Sequence, residues 1–278
     1  MSARFERPAT LAEALPLLAR GGWAVLAGGT DIYPAHVGRP LERPLLDITG
    51  IAELRGIRRT AAGWSIGAAT TWSEVLRAEL PPLFDAFKQA AREVGGVQIQ
   101  NAGTVAGNVC NASPAADGMP ALLALDAEVE LQSAAGSRRL PLDRFVLGSR
   151  RTARRPDELV SALHLPARNA TARSAFCKLG GRRYLVISIS MVAAVIELDG
   201  AGRVAHAAVA VGSCSAVAQR LPALEARLLG RDAAALSACV EPDDLAPLTP
   251  IDDLRGSGAY RLDATATLLR RALERLAP

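Results

Sequence analysis

Two uncharged, glycine-bearing stretches carry the residue types best suited to holding a ligand. The first, Ala27-Gly28-Gly29-Thr30-Asp31-Ile32, follows a short apolar run of strand length, Trp23 to Ala27. A strand that empties into Gly-Gly-Thr leaves backbone N–H groups free to point at an anion, with the Thr30 hydroxyl as a further donor. The second, Val94 to Ala116, contains no charged residue, yet it holds Asn101, Asn108 and Asn111 among its glycines. A solvated loop would carry Lys or Glu, and a core strand would not carry three asparagines. Within it, Gly103-Thr104-Val105-Ala106-Gly107-Asn108 reads as a nest of N–H groups able to hold phosphate without a lysine. The same glycines would equally serve a buried structural turn. Neither stretch is a Walker loop or a G-x-G-x-x-G dinucleotide fingerprint, so a nucleotide bound here is bound by another route.

Side-chain chemistry is sparse elsewhere. His36, His164 and His206 are scattered, and no Ser/His/Asp or Cys/His grouping can be assembled. Cys110, Cys177, Cys214 and Cys239 include no C-x-x-C pair, which argues against zinc or an iron–sulfur cluster in this chain. The start does not read as a signal peptide, and no apolar run approaches the ~20 residues of a membrane span. The expectation is a reduced, cytoplasmic protein. The formal charge of +4 is carried by scattered arginines without interleaved aromatics, so no nucleic-acid interface is expected. The densest basic cluster, Arg150, Arg151, Arg154 and Arg155, reads as a solvated loop.

The elements that must position the two stretches are short. Thr10 to Glu13 is a capping box for a helix carrying Leu11, Leu15 and Leu18 on one face, with Pro16 inside it. Leu45 to Ile48 and Trp64 to Ala68 read as strands. Thr71-Trp72-Ser73-Glu74 caps a second helix, and Leu83 to Val94 forms a third. Pro114 and Asp117 open a helix through Leu125, and Ala127 to Gln132 alternates as a strand. From Ser174 the texture changes. Phe176 to Leu179, Val186 to Leu198 and Val204 to Val211 are strand-like, with Asp199-Gly200 as a hairpin signal. Leu224 to Leu229, Ala233 to Val240 and Ala264 to Leu276 read as helices. The first part predicts α/β or α+β layers, and the sheet followed by helices after Ser174 predicts a separate α+β domain, with a boundary near Pro166 to Thr171.

Four segments recur in a characteristic order: AGGTDI (Ala27 to Ile32), TVAGNVCNASPAAD (Thr104 to Asp117), PALLALDAEVEL (Pro120 to Leu131) and DDLRGSGAYR (Asp252 to Arg261). In this order and spacing the chain resembles the FAD-binding medium subunit of the molybdenum hydroxylases, the family of xanthine dehydrogenase and aerobic carbon monoxide dehydrogenase. The resemblance implies a two-subdomain FAD-binding domain of the vanillyl-alcohol-oxidase (PCMH) type over residues 1–168, divided near 55. A C-terminal α+β domain over 169–278 would hold an antiparallel sheet and helices. It places the FAD pyrophosphate between Val25, Leu26, Ala27, Gly28, Gly29, Thr30, Asp31 and Ile32 on one side and Thr104, Ala106, Gly107 and Asn108 on the other. Asp117 matches an acidic residue at the nucleotide end of FAD, with a helix N-terminal carboxylate as the structural alternative. Lys178 matches a lysine near the flavin, or is an exposed strand lysine. Leu159 or Val160 matches an aliphatic residue against the isoalloxazine. Tyr184 lies near a region that sometimes lends an aromatic.

Two positions depart from the family pattern. Ala106 replaces a glycine of Gly-Gly-Asn, so that the turn either differs or does not need glycine there. Val94 stands where some relatives have an aromatic, which leaves one face of the cofactor more open. The function implied is electron relay within a cytoplasmic oxidoreductase complex with no membrane span. A large molybdopterin-binding subunit would hydroxylate the substrate, and a small [2Fe–2S] subunit would pass electrons to this FAD. NAD, a quinone or oxygen would receive them, in an assembly expected to be a dimer of heterotrimers. The alternatives are an assembly subunit that has lost FAD and a stand-alone FAD oxidase.

Overall fold

A computed structural model describes residues 5–277. The chain begins with a small parallel sheet of three strands, β1 (Phe5–Glu6), β2 (Ala24–Leu26) and β3 (Leu45–Asp47), in the order β1-β3-β2. Thr10 caps the intervening helix α1 (Leu11–Ala19) by accepting from the Glu13 N–H, and Pro16 lies inside that helix. Ala14 and Leu18 of α1 pack with Leu46, Ile48 and Ile51 into a compact aliphatic core. The Gly-Gly-Thr turn leaves the end of β2 and runs into a single helical turn, α2 (Ile32–Ala35).

The next stretch builds one antiparallel sheet around a cluster of helices. Strands β4 (Ile57–Thr60) and β5 (Gly63–Gly67) form a hairpin, followed by α3 (Trp72–Arg77) and α4 (Asp85–Glu93). Three short helices follow: α5 (Val97–Ala102), α6 (Val105–Asn111) and α7 (Gly118–Ala124). The chain returns as the hairpin β6 (Glu128–Ser133) and β7 (Gly136–Pro141), then a helical turn α8 (Leu142–Phe145) and a small hairpin, β8 (Val146–Gly148) with β9 (Arg151–Thr152). Strand β10 (Leu159–Pro166) closes the sheet in the order β4-β5-β10-β6-β7. Its central place explains its burial: adjacent residues alternate between faces, so Leu159 joins the core of the first sheet and Val160 the core of the second.

The final sheet is an antiparallel meander of β11 (Arg173–Gly180), β12 (Ser188–Leu198), β13 (Val204–Gly212) and β14 (Gln219–Arg220). The first ten residues of β12 are all buried, the continuous apolar pattern of a strand covered on both faces. One face, with Phe176, Met191, Ala193 and Ala208, packs on the helices of the preceding unit. The other, with Val192, Ala194, Ile196 and Val209, packs under α9 (Pro222–Leu228) and α10 (Gly258–Glu274). The fold is α+β, with one core continuous between the middle and C-terminal sheets.

Three elements differ from expectation. The uncharged stretch 94–116, expected as a nest or a glycine-rich turn, is largely helical. Residues Ala233–Cys239 wind as a 3₁₀ helix whose first turn is capped by the Asp232 carboxylate. The last helix starts at Gly258, six residues earlier than the apolar periodicity indicates, because the Ser257 hydroxyl accepts from the Tyr260 N–H and defines the N-terminus.

Candidate functional site

The two glycine stretches lie against each other. A Cβ on Gly28 would stand 1.9 Å from the Ala102 carbonyl oxygen, and one on Gly103 would stand 3.4 Å from the Thr30 hydroxyl. Only glycine allows this backbone-to-backbone approach. Between and beside the stretches opens a cleft of about 590 Å³. Within the first stretch the backbone donors are free. Among the described residues no acceptor meets the N–H of Gly28, Gly29 or Thr30, although Gly29 itself is buried. Gly29 takes a φ of +69°, and a Cβ there would collide with the Tyr33 ring at 2.4 Å. Buried N–H groups are almost always paired in proteins, so this turn is a donor set awaiting an acceptor such as a phosphate oxygen.

The second stretch behaves otherwise. Thr104 is the N-cap of α6 and accepts from the Gly107 N–H at 3.0 Å. The Val105 N–H donates to Thr70 O at 2.9 Å, and the Trp72 N–H donates to Gly103 O at 3.1 Å. These bonds tie the stretch to the start of α3 and occupy donors that the nest reading left free. Of the four glycines at 95, 96, 103 and 107, only Gly95 has a positive φ. Ala106 is an ordinary helical residue, so α6 does not need glycine at that position.

The three asparagines divide the labour. Asn101 Oδ1 accepts from the Ser73 hydroxyl at 2.6 Å. Asn111 donates to the Asp31 carboxylate at 2.8 Å. Asn108 Oδ1 is buried with no partner among the described residues, although Asn108 lines the cleft. A buried acceptor left open costs about 1–3 kcal/mol unless something donates to it. The cleft thus has free backbone donors for phosphate on one wall and the polar residue Asn108 on the other. These features fit a dinucleotide cofactor.

Of the residues expected at the cofactor, the structure brings most to this one cleft. Val25, Ala27, Gly28, Gly29, Thr30, Asp31 and Ile32 line it from the first stretch, and Val94, Thr104, Ala106, Gly107, Asn108, Leu159 and Val160 line it from the others. Leu26 is buried behind the lining. Asp117 and Lys178 lie outside the lining and are held together: Lys178 Nζ stands 2.9 Å from Asp117 Oδ2, and the Ser188 hydroxyl donates to Asp117 Oδ1 at 2.7 Å. The Lys178 side chain is 6% exposed, which the exposed-strand alternative did not foresee. Burial pushes the Asp117 carboxyl above its ordinary range, against the pull of Lys178 and Ser188. Glu93, the residue before Val94, lies 3.9 Å from Lys178 Nζ, and Glu93 and Lys178 line a second cleft. At the N-cap position of α7, Asp117 makes no side-chain cap bond.

Sequence reasoning missed the cations. Arg43, Arg150 and Arg154 line the cleft. Arg43 donates to the Gly22 and Trp23 carbonyls, and Arg154 to the Arg155 and Glu158 carbonyls. The basic run at 150–155 was visible, but nothing local showed that its loop folds over the glycine turns. Among the described residues no group of His, Cys, Asp or Glu could hold a metal ion, and no helix is long and apolar enough to cross a membrane.

Comparison with known proteins agrees with this geometry. Residues 1–168 match the family described as the FAD binding domain in molybdopterin dehydrogenase, and residues 175–276 match the CO dehydrogenase flavoprotein C-terminal domain. The chain is 36% identical over 202 residues to a putative xanthine dehydrogenase FAD-binding subunit of Escherichia coli K12, covering 71% of this chain and 69% of that one. It is 32% identical to the carbon monoxide dehydrogenase medium chain of Afipia carboxidovorans, covering 98% and 95%. The solved carbon monoxide dehydrogenase of Hydrogenophaga pseudoflava superposes with a TM-score of 0.85 at 28% identity, covering 98% of this chain and 96% of that one. The buried orphan acceptor, the free turn donors and these matches lead to one assignment: the chain belongs to the FAD-binding subunits of the molybdopterin dehydrogenases, a family of oxidoreductases.

Proposed function

We propose that the cleft between the two glycine stretches holds FAD, and that the chain is the electron-transfer subunit of a heteromeric molybdenum hydroxylase. When bound, FAD supplies the redox chemistry, taking electrons from [2Fe–2S] clusters on a small partner subunit and delivering them to NAD or another acceptor. A large molybdopterin-binding subunit would hydroxylate the substrate, in a dimer of heterotrimers. The chain would act as an FAD-binding domain over 1–168 and a C-terminal domain over 169–278.

In this reading Gly28, Gly29 and Thr30 donate to the pyrophosphate, and Asn108 accepts from a hydroxyl or N–H of the cofactor. Leu159 or Val160 gives the ring an apolar, water-excluding surface, and Val94 leaves one face of the cofactor more open. The Lys178–Asp117 pair sets the charge near the ring without entering the cleft. The observation that carries the reading is the free donor set at Gly28 to Thr30, facing a cleft whose other wall includes Asn108. Ala106 gives no ground for a flavin-free assembly subunit, since it is helical and strain-free.

The test is direct. The purified full-length chain, reconstituted with FAD, should be yellow, and denaturation should release FAD identified by chromatography. A colourless protein that cannot be reconstituted overturns the reading. Purification from the native host should bring down two companion chains carrying molybdopterin and iron–sulfur absorbance.

A further inference from the structure

The uncharged stretches meet the charged loop at a second point. Asp31 Oδ1 accepts from the Asn111 amide at 2.8 Å. Asn111 Oδ1 in turn accepts from the Arg150 guanidinium, which also lies 3.7 Å from Asp31 Oδ1. All three residues line the cleft. Asp31 follows the Gly-Gly-Thr turn at the start of α2, Asn111 ends α6, and Arg150 sits between β8 and β9. The contact therefore joins cleft-lining parts of the chain 80 residues apart.

Two features show that the geometry is built for this contact. Asp31 occupies the N-cap position of α2 but makes no side-chain cap bond there; its carboxylate faces Asn111 and Arg150 instead. Arg150 and Ala112 both adopt left-handed backbone, with φ of +58° and +48°, and the Arg150 N–H donates to Ala112 O at 3.0 Å. Non-glycine residues adopt that conformation at a cost, and it persists where the surroundings impose it. Here it brings the Arg150 side chain onto Asn111, whose amide donates to one partner and accepts from the other.

We propose that Asp31, Asn111 and Arg150 form a latch over the cleft that slows FAD release; this rests on the reading of the cleft as the FAD site. The Asp31 and Arg150 side chains are 49% and 63% exposed. The latch is thus a rim contact, weak and screened by salt. It opens readily enough to admit a cofactor and still lengthens its residence. Arg150 acts here through Asp31 and Asn111 and is a positioning residue.

The experiment loads the full-length chain with FAD, dilutes it into an excess of a flavin-scavenging apoprotein, and follows release by fluorescence. Arg150→Gln should release FAD about fivefold faster at low salt. Salt should accelerate release from the unaltered protein towards that rate and leave the variant unchanged. The double variant Asp31→Arg/Arg150→Asp should recover slow, salt-sensitive release. Arg150→Gly removes the guanidinium while relaxing the backbone, so it should match Arg150→Gln even if glutamine disturbs the loop. Unchanged thermal midpoints of the apo forms separate the effect from folding. Equal release rates in the variants and the unaltered protein overturn the latch, and so does a charge swap that loses FAD additively, because Arg150 would then act on the phosphate itself. Failure of the unaltered chain to bind FAD overturns the parent reading, a result distinct from FAD bound with unaltered kinetics.

Discussion

The two glycine stretches that meet at the cleft use their backbones in opposite ways. At Gly28 to Thr30 the N–H groups are left free by a turn that no side chain caps. At Thr104 to Asn108 the same kinds of residue form the first turn of a helix, and the Thr104 hydroxyl and the Thr70 carbonyl take up the Gly107 and Val105 donors. The lesson is that glycine content does not count free donors. A capping threonine three residues before a glycine converts a nest into a helix start, and the stretch then contributes a side chain, Asn108, where its neighbour contributes backbone.

The sharpest way to break this comparison is at Gly28. Gly28→Val would place atoms against the Ala102 carbonyl, where even a Cβ has only 1.9 Å. The turns must separate, and the cost should be roughly 3 kcal/mol, or about 6–12 °C in the thermal midpoint. The protein should isolate without yellow colour; a yellow Gly28→Val protein with an unaltered midpoint would show that the two turns need not touch. At the other stretch the effects should be smaller. Thr104→Ala removes the cap of α6 and should cost about 1 kcal/mol, read as a lowered midpoint with FAD still bound. If it abolishes FAD binding instead, the hydroxyl serves the cofactor and the two stretches are more alike than their hydrogen bonds indicate. Ala106→Gly introduces the glycine of the expected family pattern, and it should cost about 0.5–1 kcal/mol through helix propensity. Equilibrium titration should then find no gain in FAD affinity.

The pH dependence of stability should arise away from both turns. His206 Nε2 is buried without a hydrogen bond, 3.8 Å from Asp126 Oδ2. Burial pushes its pKa below the ordinary 6.5, helped by Arg168 and opposed by Asp126 and Glu197. The unfolded chain therefore binds a proton more readily than the folded one in the window just below pH 6.5. Stability is full above that value and falls as the pH drops through the window. His206→Gln should flatten the midpoint between pH 7 and pH 5, and an unchanged slope would assign the effect to another group.

Much of the site was legible along the chain, because its backbone features are local. Gly-Gly-Thr after an apolar strand, and an uncharged segment holding three asparagines, are statements about neighbours in sequence. The Ser257 cap was equally local, yet Gly258 beside it masked the helix start. The arginines of the cleft were not legible. Arg150 stands 39 residues from Asn111, and its placement depends on how the β8–β9 hairpin folds back. The partnership of Lys178 with Asp117, 61 residues away, was hidden for the same reason: a strand position does not say which buried carboxylate lies opposite.

By itself, then, the sequence determined the α+β class, the capped helices, the strand β12 and the motif order that marks the family, since each is written in periodicity, capping chemistry or neighbouring residues. The tertiary structure alone decided which N–H groups remain free, which asparagine is left without a partner, and which charges pair. Those outcomes depend on contacts between segments far apart in the chain, where a hydrogen bond is made or missed by about an ångström of backbone placement.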